Sequence, residues 1–369
     1  MNPLIELHAY GQSFWYDNIQ RRFLLDGTLL NLIEVDGLRG MTSNPTIFEK
    51  AISAGDEYDE QLLEVLEKSQ DLQEIYEALA LTDIRLACDL FADLYQKTKG
   101  GDGYVSLEVS PHLAHDDEGT VAEARRLFAA VDRPNVMIKV PATSQGVPAI
   151  RRLVSEGINI NVTLMFSMHH YEVVARAYLD GLKKRAERGL DLAHVASVAS
   201  FFVSRVDTAV DKILADIDDP AARALMGKTA VANSKVVYQR FKELFHGEDF
   251  NDLRAAGAAV QRLLWASTST KNPDYPDTLY VDQLIGPETV NTMPPKTIDA
   301  FRDHGQLSYS LEQDIEDAQL VLDNLVELGI DLDEVTEKLQ EDGVKSFSQS
   351  FDQLIEALSQ KVDELQAKA

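Results

Sequence analysis

The sequence predicts an α/β protein built as a (β/α)8 barrel of the TIM type, with extra C-terminal helices. Three observations predict it. Eight short apolar runs recur along the chain, and amphipathic stretches separate most of them, the alternation expected of βαβ units in a parallel sheet. Two of the runs, VMIKV and INVTLMF, are almost continuously apolar, as strands covered on both faces should be. No Gly-rich dinucleotide loop follows any early run, which weighs against an open doubly wound sheet. Eight such units with right-handed crossovers close naturally into a barrel.

In order along the chain, strands are expected at residues 13–17, 39–42, 104–109, 135–140, 159–164, 195–202, 262–267 and 289–293. Between them the three-to-four spacing of apolar residues predicts helices at 56–68, 73–97, 120–131, 145–156, 169–188 and 207–216. The glycines of GDG, at 101 and 103, precede their strand and read as a turn. The 220–252 segment is long for one crossover and reads as two or more helices, with 231–245 the clearest. Beyond Gly305 the pattern is wholly helical, at 311–328, 331–339 and 344–365. Residues 1–369 therefore read as a single domain, with 306–369 as helices packed on the barrel. A charged amphipathic terminal helix also suits a dimer contact, so monomer and homodimer both remain open.

The formal net charge is -26, from 35 basic and 61 acidic residues, a field that repels nucleic acid and anionic membranes. A phosphate site in such a chain must be a local concentration of donors and cations. The one cysteine, Cys88, allows no intramolecular disulfide and lies in a helical run as a small hydrophobe. The N-terminal MNPLIELHAYGQ lacks a basic and an apolar signal region, and no apolar run approaches a membrane span. A cytoplasmic protein is expected.

The chemistry lies where polar residues end the apolar runs. Asp17, Glu108, Lys139, Asn161, Thr163, Ser200 and Ser267 all occupy such positions, and in a parallel barrel those ends share the face that carries catalytic groups. Lys139 stands between Ile138 and Val140 in a run buried on both faces. A buried amine loses hydration, which favours its neutral, nucleophilic form. The alternative is a lysine neutralised by Glu108 inside the barrel, and at this point both readings stand. His112 and His115, near Asp116 and Asp117, lack the further ligands of a defined metal centre. Trp15 and Trp265 read as packing residues.

Taken together, GMTSNPTIFEKAI, VSLEVSP, MIKVPAT, NINVTLMFS, ASFFVSRVD, WASTSTKNP and TVNTMPP resemble the transaldolase family, and look most like its larger bacterial branch. The matches run in order from Phe14 to about Arg302. The resemblance implies transfer of a dihydroxyacetone unit from sedoheptulose 7-phosphate to glyceraldehyde 3-phosphate in the non-oxidative pentose phosphate pathway. It implies a Schiff base on Lys139, proton exchange with the sugar hydroxyl by Asp17, and acid/base work through a water by Glu108, with Thr163 holding that water. Asn44 and Asn161 correspond to residues that bind the dihydroxyacetone hydroxyls, and Ser200 to a residue beside the substrate. Arg205 and Ser267 match phosphate-binding positions. The iminium is an electron sink for the carbanion left by carbon–carbon cleavage, so this chemistry requires neither a metal nor an organic cofactor.

Two positions depart from the pattern. Many relatives carry arginine two residues after the serine matched by Ser267; here the residue is Ser269, and Lys271 is the candidate replacement charge. Many also have proline between the serine and phenylalanine of the sixth strand, where this chain has Phe201. Two other functions compete: a lysine-dependent aldolase that releases the unit, and a catalytically silent sugar-phosphate-binding barrel. Phe202 weighs against the first, because relatives with true aldolase activity tend to carry tyrosine there.

Overall fold

The computed structural model describes residues 2–53 and 55–368. Eight parallel strands close in chain order into a barrel: β1 (Gln12–Asp17), β2 (Gly40–Thr42), β3 (Tyr104–Glu108), β4 (Val136–Pro141), β5 (Ile160–Met165), β6 (Ser197–Phe202), β7 (Arg262–Ala266) and β8 (Thr289–Met293). All eight expected strands are present, with ends shifted by a residue or two. The register sets Asp17 opposite Thr42, Glu108 opposite Lys139, Lys139 opposite Asn161, and Pro141 opposite Thr163. The polar residues that end the apolar runs are thereby brought to the same end of the barrel.

Outside the strands, helices such as Leu72–Lys97, Asp117–Val131, Gly146–Glu156, Met168–Glu187 and Ser204–Ala215 cover the apolar outer face. Side-chain caps start three of them: Asp71 accepts from the amides of Gln73 and Glu74, Asp116 from Gly119, and Ser167 from His170. Such a cap contributes about 1 kcal/mol. The long 220–252 segment contains Pro220–Leu225, Thr229–His246 and two shorter turns. Cys88 is fully buried, and burial pushes its thiol pKa up, away from thiolate chemistry. Trp15 and Trp265 are fully buried, Trp265 edge-on to Phe201 at 6.1 Å.

The opposite, N-terminal end of the barrel is closed by ions. Asp102 receives Arg39 Nε at 2.6 Å, Arg262 Nη2 at 3.0 Å and Ser13 Oγ at 3.0 Å. Arg262 Nη1 also donates to Ser13 Oγ at 3.0 Å. Strands β1 and β7 and the loops before β2 and β3 are tied together in this way.

The structure corrects the expectation after Gly305 in two places. The expected 311–328 helix is a short turn, Ser310–Glu312, followed by the helix Ile315–Glu327; Asp314 breaks them apart with a left-handed backbone (φ 54°). The expected pair 331–339 and 344–365 is one helix, Leu332–Lys368. Gly343 suggested a break but serves a close approach: a Cβ there would sit 2.9 Å from Leu164 Cδ2. This terminal helix buries Val344, Phe351, Leu354, Leu358 and Val362, residues at three-to-four spacing, against the barrel's helices. Phe351 meets Tyr76 edge-on at 5.7 Å, and Tyr76 meets Phe48 in the same geometry. Among the described residues no helix is long and apolar enough to cross a membrane.

Candidate active site

At the C-terminal mouth, Lys139 reaches inward from the middle of β4 and is 6% exposed. Its Nζ lies 2.7 Å from Glu108 Oε1 and donates to the Ser43 carbonyl at 2.9 Å. Both readings of this lysine therefore meet in one geometry: it is paired with Glu108, and it faces a cavity. The contact with Glu108 is a close, buried charge pair. Burial raises the Glu108 pKa; the Lys139 charge opposes the rise and the Asp17 charge adds to it.

Asp17, the last residue of β1, is held by a short relay. Thr42 Oγ1 donates to Asp17 Oδ1 at 2.7 Å, and Thr292 Oγ1 lies 2.6 Å from Thr42 Oγ1. Since Thr42 has one hydroxyl proton and gives it to Asp17, Thr292 is the donor to Thr42. Burial raises the Asp17 pKa, while the Thr42 bond, then Lys139 and Lys271, hold it down.

A cavity of about 210 Å³ opens above these groups. Of the residues expected from sequence, Asp17, Asn44, Lys139, Thr163, Ser200, Phe202, Arg205, Ser267 and Lys271 all line it. A second, much smaller pocket of about 20 Å³ lies beside it, bounded by Glu108, Lys139, Thr163, Val344 and Phe347 among others. Thr163 borders both, and its Oγ1 is buried with no hydrogen-bond partner. Of these two, Glu108 lines only the smaller, and it also borders a separate cavity of about 100 Å³ with Tyr76 and Phe351. Asn161 lines neither: it is fully buried, gives its amide to Ser106 Oγ at 3.0 Å and accepts the Ser200 hydroxyl at 2.6 Å. Asn44 also starts the helix Pro45–Ser53, accepting the Ile47 amide at 3.0 Å.

One side of the larger cavity is cationic despite the chain's net charge of -26. Arg205 lies at the start of the helix Ser204–Ala215, with its guanidinium 5.2 Å from the Phe202 ring. Lys271 Nζ donates to Ser269 Oγ at 2.6 Å, so the departure at 269 and its candidate replacement charge touch each other. Burial lowers the pKa of Arg205; burial and then the Arg205 charge lower that of Lys271. Ser267 follows β7 with φ 57° and lies 2.9 Å, hydroxyl to hydroxyl, from Ser204. Phe201 points away toward Trp265, which leaves Ser200 and Phe202 on the cavity wall.

Sequence reasoning missed Thr42, Thr292 and two residues of the terminal helix. Phe347 lines both cavities, and its ring centroid is 6.0 Å from Lys139 Nζ. Gln340 Nε2 donates to the carbonyls of Leu164, at 2.9 Å, and Ala142, at 3.2 Å. His112 pairs instead with Asp352 at 3.0 Å, and His115 with Gln145 at 3.4 Å.

A model of the family described as Transaldolase/Fructose-6-phosphate aldolase matches residues 14–358. A protein named Transaldolase from Trichodesmium erythraeum is 46% identical over 374 residues, covering 99% of this chain and 98% of that protein. Another of that name, from Thiobacillus denitrificans, is 50% identical over 355 residues, covering 96% and 99%. A third, from a Parafrankia strain, is 47% identical over 361 residues, covering 98% of both. On a match of this extent, with full-length relatives named for one activity, the chain belongs to the Transaldolase/Fructose-6-phosphate aldolase family as a transaldolase enzyme, a transferase on a TIM barrel.

Proposed function

We propose that the protein transfers a dihydroxyacetone unit from sedoheptulose 7-phosphate to glyceraldehyde 3-phosphate, through a Schiff base on Lys139, giving erythrose 4-phosphate and fructose 6-phosphate. The observation that carries this reading is the Lys139 amine, held between a carboxylate 2.7 Å away and a cavity with two cations on its wall.

Each residue then has a task that its surroundings suit. Lys139 attacks the ketone carbon of the donor. Glu108 takes and returns protons during carbinolamine formation and breakdown, working through one water held with Thr163. A pocket of about 20 Å³ suits one water, which needs at least ~10–15 Å³ and two or more polar partners. Thr163, whose hydroxyl is buried without a hydrogen-bond partner, and Glu108 both line that pocket and are the groups offered to the water. Asp17 removes the hydroxyl proton of the departing aldehyde, and its raised pKa brings a base closer to neutral pH, where general bases work best. The electron pair of the broken carbon–carbon bond is taken up by the iminium as an enamine, which then attacks the acceptor aldehyde.

Asn44 and Ser200 bind the hydroxyls of the three-carbon unit, with Asn161 acting through the Ser200 hydroxyl it accepts. Arg205, Ser267 and Lys271 take the phosphate, Lys271 in place of the arginine that Ser269 lacks. The Arg205 fork can bind two phosphate oxygens. We assign the reaction to the non-oxidative pentose phosphate pathway in the cytoplasm. The packing of the terminal helix on the barrel supports residues 1–369 as one domain.

The test is reductive trapping. Incubation with fructose 6-phosphate followed by borohydride should leave a reduced three-carbon adduct on Lys139, located by peptide mass spectrometry. Erythrose 4-phosphate should discharge the unreduced intermediate as sedoheptulose 7-phosphate. A well-folded protein that gives no adduct at Lys139 sinks the mechanism.

A further inference from the structure

Phe347 reaches the site from outside the eight βα units. It is one of a handful of residues that border both the substrate cavity and the one-water pocket, and its ring faces Lys139 Nζ from 6.0 Å. Three features of the terminal helix hold it there. Gln340 clamps the helix to the carbonyls of Ala142 and Leu164, just past β4 and at the end of β5. Gly343 lets the helix approach Leu164 closely. His170, buried at the start of the helix after β5, meets Glu337 at 3.0 Å. Leu164 itself is left-handed (φ 62°), and the register of β5 against β6 slips between Val162 and Met165. A strained strand end is kept in place only where its surroundings over-determine it, and here the terminal helix does so.

We propose that Phe347 is a positioning residue that sets how the bound three-carbon unit is shared between transfer to an aldehyde and release to water. This rests on the Schiff-base reading above. Release needs one step that transfer does not, protonation of the enamine carbon; the iminium hydrolysis that follows also ends transfer. The nucleophilic enamine carbon must first take a proton from solvent, giving the iminium. Water must then add to the iminium carbon and lose a proton to Glu108. The carbon–nitrogen bond breaks with its electron pair going to nitrogen, which is protonated, while the carbinolamine hydroxyl loses its proton to become the ketone, and free dihydroxyacetone leaves; discharge of the enamine consumes one water, the equivalent of the one given up when the Schiff base formed. The Phe347 ring keeps the one-water pocket separate from the cavity and bars further water from the enamine carbon. It leaves Glu108 and Thr163 one water for each carbinolamine step.

The experiment compares the unmodified enzyme with Phe347→Ala, Phe347→Leu and Gln340→Ala. Each is given fructose 6-phosphate with and without erythrose 4-phosphate. Two products are measured, free dihydroxyacetone and sedoheptulose 7-phosphate, and the borohydride adduct on Lys139 is quantified in parallel. With the adduct retained, the release-to-transfer ratio should rise about tenfold or more in Phe347→Ala, where bulk water enters. It should rise less in Phe347→Leu, which keeps most of the volume. Gln340→Ala, which touches neither cavity, should move it in the same direction by a smaller factor. A purely structural role would lower both products together and leave the ratio alone. An intact adduct with an unchanged ratio in both Phe347 variants overturns the proposal; should the alanine variant fail to fold, an unchanged ratio in Phe347→Leu alone does so. Absence of the adduct from the unmodified enzyme overturns the Schiff-base reading itself, and this inference with it.

Discussion

The two ends of the barrel both bury carboxylates, and they treat them in opposite ways. At the N-terminal end Asp102 sits between Arg39 and Arg262, with the Ser13 hydroxyl completing its shell. Burial acts to raise its pKa, but the two guanidiniums prevail and hold it below the usual carboxylate range. At the C-terminal mouth Glu108 pairs with Lys139 and Asp17 is held by the threonine relay, but burial prevails, so both pKa values are raised. A fully satisfied buried charge stabilises and stays ionised. A partly satisfied one is less stable and holds its proton to higher pH, as acid/base chemistry requires. On the proposed mechanism, the barrel keeps its structural ions at one end and its reactive ones at the other.

The sharpest way to break the comparison is to neutralise one carboxylate at each end. Asp17→Asn should lower kcat by about 10²–10⁴-fold, the usual worth of a general base. Its urea midpoint should be unchanged or higher, because the amide relieves a poorly compensated buried charge. A clear fall in midpoint with kcat preserved would show that Asp17 is a structural ion like Asp102. Asp102→Asn should do the reverse. It leaves Arg39 and Arg262 without their counter-charge, at an expected loss of about 3–5 kcal/mol, read as a lower urea midpoint. kcat/KM per folded molecule should stay as it is, and a drop there would mean that the two ends are coupled.

A gentler substitution sharpens the same contrast. Thr42 stabilises the ionised form of Asp17, so Thr42→Val should raise the Asp17 pKa further. The base is active when ionised, so activity is lost as pH falls through that pKa. The acid limb of the kcat/KM profile should therefore move toward neutral pH by about a unit or less. A limb that stays put, or moves to lower pH, would detach Thr42 from the titrating group.

The barrel was legible in the sequence because parallel strands buried on both faces leave near-continuous apolar runs, and VMIKV and INVTLMF are such runs. The candidate site was legible for a related reason: a lysine at 139, inside such a run, needs either a carboxylate partner or a chemical use, and both point to the same end of the barrel. Residues that look ordinary where they stand were not legible. Thr42 and Thr292 are β-branched residues in strands, and only the closed barrel brings their hydroxyls within 2.6 Å. Gln340 and Phe347 lie on an amphipathic helix whose pattern shows that one face is covered, not what covers it. Gly343 was misleading because glycine marks both helix ends and close approaches, and sequence alone does not distinguish them.

The terminal helix also bears on the order in which a ribosome makes the enzyme. Every strand of the barrel has been synthesised by Met293, while Gln340 and Phe347 come later. Nascent chains fold from the N-terminal side as they emerge. A barrel that closes at that stage carries Lys139, Glu108 and Asp17 but lacks the wall that bounds both cavities. Translation therefore makes the groups proposed to react before the helix that borders their cavities.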